Sequence, residues 1–252
     1  MRFDKYQALG NDYLVLVEPG LDAAAEAAWA RAVCDRHFGV GADGLLLQHV
    51  DRPLALRILN PDGSEAEKSG NGLRIFARWL FDAGRVGHEP FQLETKSGRV
   101  GCRVASGARE IEVDMGRVSF RSEDIPVRGT KREVLRETLE LEGERLVLSA
   151  ATLGNPHCVV ERDRVLDPQN LEIEIWERGA GRTLSSGSSS CAAAAVARRL
   201  RLCEPSVHVR MPGGVLDVHV AEDFSVRLVG PASPVLDGRL GEALLPERWR
   251  DG

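Results

Sequence analysis

Two serines stand where chemistry could be done. In EAEKSGNGLRIFARWL (65–80) and ERGAGRTLSSGSSSCAAAAVARRL (177–200), a polar, glycine-bearing loop reaches a Ser-Gly pair and enters an apolar, helix-forming run. A helix N-terminus offers unpaired backbone N–H groups and positive dipole potential, so it attracts an anion. Glycines at 70, 72 and 187 would let a ligand approach that backbone closely. Two such ends facing each other suit a small dipolar molecule such as an amino acid with its α-carboxylate. Ser69 and Ser186 would then flank one carbon from opposite sides. That geometry suits removing a proton from one face and returning it on the other, work for groups whose pKa lies near working pH. Serine is also among the best N-cap residues, and capping alone would place it there.

The elements that must hold these serines are written twice. ALGND (8–12) matches TLGNP (152–156), and SGNG (69–72) matches SGSS (186–189). ETKSGRVGCRV (94–104) matches VRMPGGVLDVHV (209–220), with Gly98 opposite Gly214, and DMGRVSF (114–120) resembles LVGPASP (228–234). The order is the same in both halves, which marks an internal duplication. AWARAVCDRHFG (28–39) is expected to form an outer helix ending at Gly39. LEIEIWE (171–177) and VLDVHVA (215–221) alternate with period two and are expected to be strands. The mixed-sign stretch 128–146 reads as a solvated connecting segment. The fold class expected is α+β, with two pseudo-symmetric lobes. Each is a curved, mostly antiparallel sheet around a central helix, with the active-site cleft between them. The lobes are expected at 1–120 and 121–252, with the last strand or tail free to cross back. From Asn11 to Ser69 is 58 residues, but from Asn155 to Ser186 only 31, a difference of 27. The second half therefore lacks an outer helix and a counterpart of GVGADGLLLQ (39–48), and the loss exposes an edge strand.

Composition excludes several classes of function. A net charge of −5 gives no electrostatic case for nucleic acid or an anionic membrane. The longest apolar runs are too short to span a bilayer, and MRFDKYQALGNDYLVLVE lacks the features of a signal peptide. Five cysteines without CxxC spacing fit reduced thiols in a cytoplasm, and no HExxH suggests a metal.

The chain resembles the diaminopimelate epimerase family over nearly its whole length. The resemblance rests on ALGNDY (8–13), RHFGVGADGLL (36–46), NPDGSEAEKSGNG (60–72), LGNPHCV (153–159), ERGAGRT (177–183), SGSSSCAAAAVA (186–197) and PGG (212–214). It implies a cofactor-independent amino-acid epimerase acting on a small amino-acid substrate in lysine biosynthesis, with a homodimer an admissible state. In that family a cysteine precedes each helix-head glycine, and the two thiols are the acid and base. Here those positions are Ser69 and Ser186. A thiol can become a working thiolate at a helix N-terminus, whereas a serine hydroxyl needs an adjacent base. Cys191 and Cys158 do not replace the thiols: helical spacing turns Cys191 toward the core, and strand alternation turns Cys158 away from His157.

By resemblance His157 and Glu177 stand around the reacting carbon, the best remaining base and acid. Asn11, Asn60, Asn71 and Asn155 line the cleft, with backbone from Gly70, Gly187 and Ser188, and Arg178 pairs with a substrate carboxylate. Asp12 and Asp43 read as loop or capping residues, and Lys68 as a charge facing solvent where the chain enters its helix. The family's second-half segment carries an asparagine for the substrate's distal end, and here only Asn170 stands in that region. Three readings stay open: the family's epimerisation, a one-base isomerisation or dehydration using Glu177 or His157, and a ligand-binding protein without turnover. An engineered Cys→Ser pair is a further origin for the two serines.

Overall fold

A computed structural model describes residues 1–105, 107–161, 165–177 and 181–246. The chain groups into two units, Met1–Val113 with Pro231–Gly252, and Asp114–Gly230. The sequence reading draws the boundary at 120/121; the division falls after Val113, and the chain rejoins the first unit from Pro231.

In the first unit β1 (Arg2–Ala8) turns back through Leu9-Gly10 into β2 (Asn11–Val17). Helix α1 (Ala23–Cys34) follows, then β3 (Leu45–Gln48), β4 (Leu56–Leu59) and β5 (Glu65–Ala66). Helix α2 (Gly70–Asp82) leads to β6 (Phe91–Thr95), β7 (Gly98–Val104) and β8 (Ile111–Arg117). The last strand of the chain, β19 (Ser233–Arg239), returns to pair with β1, giving the order β19-β1-β2-β3-β4-β5. β2 and β3 run parallel, Leu14 opposite Leu45, because a helical crossover joins them.

α1 begins earlier than its sequence suggests. Asp22 caps it, its carboxylate accepting from the Ala24 and Ala25 N–H groups. It also ends earlier, at Cys34 and not at Gly39. Asp35 leaves helical torsions, and its side chain accepts from the His37 and Phe38 N–H groups, so the local bond replaces another helical turn. Trp29, Ala30 and Val33 of α1 pack on Leu14, Leu16, Leu45 and Leu47 of the sheet. α2 is buried nearly all round, from Gly70 through Ala77, as a helix enclosed by its unit must be. Each buried Leu, Ile or Phe side chain contributes about 2 kcal/mol of transfer free energy there.

The second unit begins within β8 and continues to β9 (Glu137–Leu141), β10 (Glu144–Thr152) and β11 (Pro156–Val160), a three-stranded sheet in the order β11-β10-β9. Segment 128–146 is thus not merely connecting: it holds β9 and the start of β10. Glu142 and Gly143, both at positive φ, make the tight turn, and the charges stand on a largely exposed surface. Short strands β12 (Val165–Asp167), β13 (Asn170–Glu172), β14 (Ile175–Glu177) and β15 (Gly181–Thr183) follow. Then come α3 (Gly187–Arg199), β16 (Ser206–Met211), β17 (Gly214–Val220) and β18 (Ser225–Gly230). LEIEIWE is two strands with a break, β13 pairing with β16 and β14 with β15, whereas 215–221 lies almost entirely in β17.

The duplication is visible in detail. α2 and α3 have 13 residues each. The β6–β7 and β16–β17 hairpins close on the same register, Thr95 opposite Gly98 and Met211 opposite Gly214. Both of those glycines have φ beyond +100°, which a side chain resists. β11-β10-β9 matches β2-β1-β19, but no described strand takes the place of β3 beside β11, which is an edge.

Candidate active site residues at two helix heads

At the first head Ser69 has extended torsions (φ −137°, ψ 116°), and its Oγ accepts from the Gly72 N–H at 3.0 Å. At the second, Ser186 (φ −147°, ψ 121°) accepts from the Ser189 N–H at 3.4 Å. Both serines are therefore N-caps. They differ in access, since Ser69 is half-buried and Ser186 is only 5% exposed. Lys68 is half-buried also, not a fully solvated charge.

A line of polar side chains braces the first head. Arg74, fully buried one turn along α2, donates to the Gly70 carbonyl at 3.0 Å and to Asn71 Oδ1 at 2.9 Å. Asn71 Nδ2 donates to Asn11 Oδ1 at 3.0 Å, and Asn11 Nδ2 donates to Asp43 Oδ2 at 2.8 Å. Arg36 closes the line on Asp43 and Asp12, and Lys5 Nζ lies 2.8 Å from Asp12. Burial works to raise the Asp12 carboxyl, but bonds from Arg36 and Lys5 outweigh it and hold it down at about 2. Asp12 and Asp43 are thus more than loop formers: they fix Asn11. Sequence reasoning missed Arg74, whose one signal was an arginine inside the apolar run LRIFARWL. Asn60 is not brought to this head by any described bond. Its backbone and Nδ2 bond Ser64, holding the turn between β4 and β5.

Tyr13, two residues beyond Asn11, sends its hydroxyl to within 3.3 Å of Ser69 Oγ. Gly44 makes room for the ring, since a Cβ there would lie 2.6 Å from Tyr13 Cε1.

The second head is held more loosely. Asn155 Nδ2 donates to Ser188 Oγ at 3.4 Å, the counterpart of the Asn11–Asn71 bond. Ser188 Oγ lies 3.5 Å from Ser186 Oγ. His157, at Tyr13's repeat position, places Nδ1 3.5 Å from Ser189 Oγ, and its buried Nε2 has no hydrogen-bond partner among the described residues. Burial lowers its pKa to about 4, so the ring is neutral at neutral pH. Ser190 Oγ donates to the Ser186 carbonyl at 2.8 Å. Glu177 sits half-buried at the end of β14, opposite Gly181. Arg178 lies outside the described residues.

Cys191 is fully buried, as helical spacing requires, and Cys158 is exposed, whereas His157 turns to α3. Burial pushes the Cys158 thiol up, and takes Cys34 to about 12 and Cys203 to about 11. None of these three is an activated thiolate. Among the described residues no three His, Cys, Asp or Glu side chains could hold a metal ion, and no helix is long and apolar enough to cross a membrane.

Comparison with known proteins adds an independent line. The diaminopimelate epimerase family model matches residues 3–121 and 158–235. Diaminopimelate epimerase 2 of Nostoc sp. is 43% identical over 272 aligned positions, covering 95% of each chain. Diaminopimelate epimerase of Desulfitobacterium hafniense is 35% identical over 283 positions, covering 97% of this chain and all of its own. Both alignments are longer than this chain's 252 residues, so the relatives carry segments it lacks. In structure, a hydroxyproline epimerase from Agrobacterium vitis superposes with a TM-score of 0.68 at 14% identity, covering 94% of this chain and 90% of that one. At that identity the match shows the shared α+β two-lobe fold.

Proposed function

This chain belongs to the diaminopimelate epimerase family of isomerases, and from that premise we propose that it epimerises an amino acid by proton removal and return at Cα, with diaminopimelate, LL to meso, as the substrate. The observation that carries the reading is the pair of matched heads. Each helix opens on a Ser-Gly step capped by its own serine, and each head has an asparagine from the same repeat position hydrogen-bonded to it. Helix-head amides favour a carboxylate.

In this reading Ser69 and Ser186 take the two acid and base positions on one carbon. Gly70, Asn71, Gly187 and Ser188 present backbone and side chain to the substrate, with Asn11, Asn60 and Asn155 lining its place and Arg178 pairing a carboxylate. His157, neutral at working pH, accepts a proton or hydrogen bond, and Glu177 assists from the end of β14. No cofactor enters the scheme. Without thiols the turnover is slow relative to a cysteine pair, because an alcohol is a weak base until a neighbour activates it.

The test is Cα–H exchange in D₂O followed by NMR, offering LL- and meso-diaminopimelate and shorter amino acids. Exchange with diaminopimelate supports the substrate named here, and exchange confined to a shorter amino acid moves the assignment to it. Silence from folded protein that binds ligand would falsify the proposal.

A further inference from the structure

The proposed function leaves Ser69 without a group of suitable acidity, and one stands beside it. We infer that Tyr13 acts through Ser69 as a positioning and proton-relay residue, supplying from a phenol the acid–base capacity that a serine hydroxyl lacks. The inference rests on the epimerase reading.

A hydroxyl has one hydrogen to give and two lone pairs to receive. The Gly72 N–H occupies one lone pair of Ser69 Oγ. Tyr13 Oη, 3.3 Å away, decides what remains. When the phenol donates to Ser69, both lone pairs are filled and Ser69 must point its own hydrogen outward, toward a ligand. When Ser69 donates to the tyrosine oxygen, a lone pair faces outward. The tyrosine's state therefore sets whether Ser69 presents a donor or an acceptor. The separation is long for a closed O–H···O bond, and such bonds shorten on substrate binding. Tyr13 is held for this role: its ring is buried, and the absence of a side chain at Gly44 gives it space.

The proton count closes. On proton return, Ser69 gives its hydroxyl hydrogen to the carbanionic Cα while the phenolic hydrogen of Tyr13 moves to Ser69 Oγ. A C–H bond and an O–H bond form, two O–H bonds break, and the electron pair left behind rests on the tyrosine oxygen. In the other direction a Tyr13 phenolate takes the Ser69 hydrogen as Ser69 takes the hydrogen from Cα, whose C–H pair stays on carbon. A phenol with a reference pKa of about 10 is far nearer a thiol than an unassisted alcohol is. The second head is built differently, since His157 at the repeat position approaches Ser189 and not Ser186.

The experiment measures Cα–H exchange of LL- and meso-diaminopimelate by NMR, across a pH series, for the full chain and for Tyr13→Phe, Ser69→Cys and their combination. Tyr13→Phe is expected to lower the maximal exchange rate about 100-fold with little change in KM and to remove the alkaline rise. In the Ser69→Cys background the same change should cost less than about threefold, because the thiol no longer needs the relay. An equal loss in both backgrounds, or an unchanged rate and pH profile in Tyr13→Phe, overturns the relay alone. A wild-type protein that binds ligand without exchange overturns the relay and the proposed function together. A second measurement needs no mutation. The chain has two tyrosines, Tyr6 and Tyr13, and Tyr6 is kept protonated by burial and by its bond to Asp82. Replacing both with 3-fluorotyrosine, a more acidic phenol, should move the alkaline limb to lower pH. An unmoved limb overturns the relay.

Discussion

Ser69 and Ser186 cap helices of equal length with nearly equal torsions, yet the two heads are supported unequally. Below the first, a continuous line runs from buried Arg74 through Asn71 and Asn11 to Asp43 and Arg36. At the second, Asn155 reaches Ser188 at 3.4 Å, and the position of Arg74 holds Cys191. The difference has a traceable origin. Arg36 and Asp43 belong to the stretch between β2 and β4 that has no counterpart in the second half, where the described residues between Pro156 and Ser186 form strands and turns. In the first half that one stretch supplies both the strand beside β2 and the brace beside Asn11. A duplicated unit can thus keep its helix head while losing what made that head rigid.

The contrast can be broken most sharply at the equivalent buried positions. Arg74→Met should destabilise the protein by about 4 kcal/mol, since it strands the Gly70 carbonyl and Asn71 without their donor. Cys191→Ala, at the same place in α3, should cost only about 1 kcal/mol. Denaturant midpoints of the two variants check this, and equal losses would remove the asymmetry.

The two heads should also part in their pH response. His157 has a folded pKa near 4 against an ordinary 6.5, so the unfolded chain binds more protons between those values. Its contribution is complete above about pH 6.5 and is lost as pH falls through 4, up to about 3 kcal/mol. Asp12, held at about 2 against 3.8, loses its contribution only below that, between about pH 4 and 2. Urea unfolding from pH 7 to pH 3 on wild type and His157→Gln should show the upper step in wild type alone.

Restoring sulfur tests the chemistry directly. Ser69→Cys with Ser186→Cys should raise Cα–H exchange about 100-fold, because a helix N-terminus favours a thiolate. No gain in a folded, ligand-binding variant would show that the heads are no longer arranged for proton transfer. The smallest effect is expected at the asparagine contacts. Asn71→Ala should cost about 1.5 kcal/mol in stability and Ser188→Ala about 0.5, following the 3.0 and 3.4 Å bonds they lose.

Much of this was legible in sequence because it is local. Turn glycines, N-cap serines and apolar periods act on near neighbours, so the repeat with its matched segments 94–104 and 209–220, the two central helices, and the edge left by the shortened half could be read from residue order alone. Readings failed where a competing local bond or an exposed charge misled them. Asp35 ended α1 before Gly39, and the charged 137–148 stretch was a hairpin whose alternation was masked by glutamates. The heads themselves were placed correctly as caps by residue type.

What sequence could not supply is which side chain meets which across long separations. Asn71 against Asn11, Asn11 against Asp43, Tyr13 against Ser69 and His157 against α3 join segments up to 60 residues apart. Their pairing depends on register and on which face of each element turns inward. The sequence determined that serines head two helices in a duplicated epimerase fold. Only the tertiary structure decided that one head is braced and paired with a phenol while the other is approached by a neutral, half-buried imidazole, because polar contacts between distant segments exist only once packing has fixed both ends.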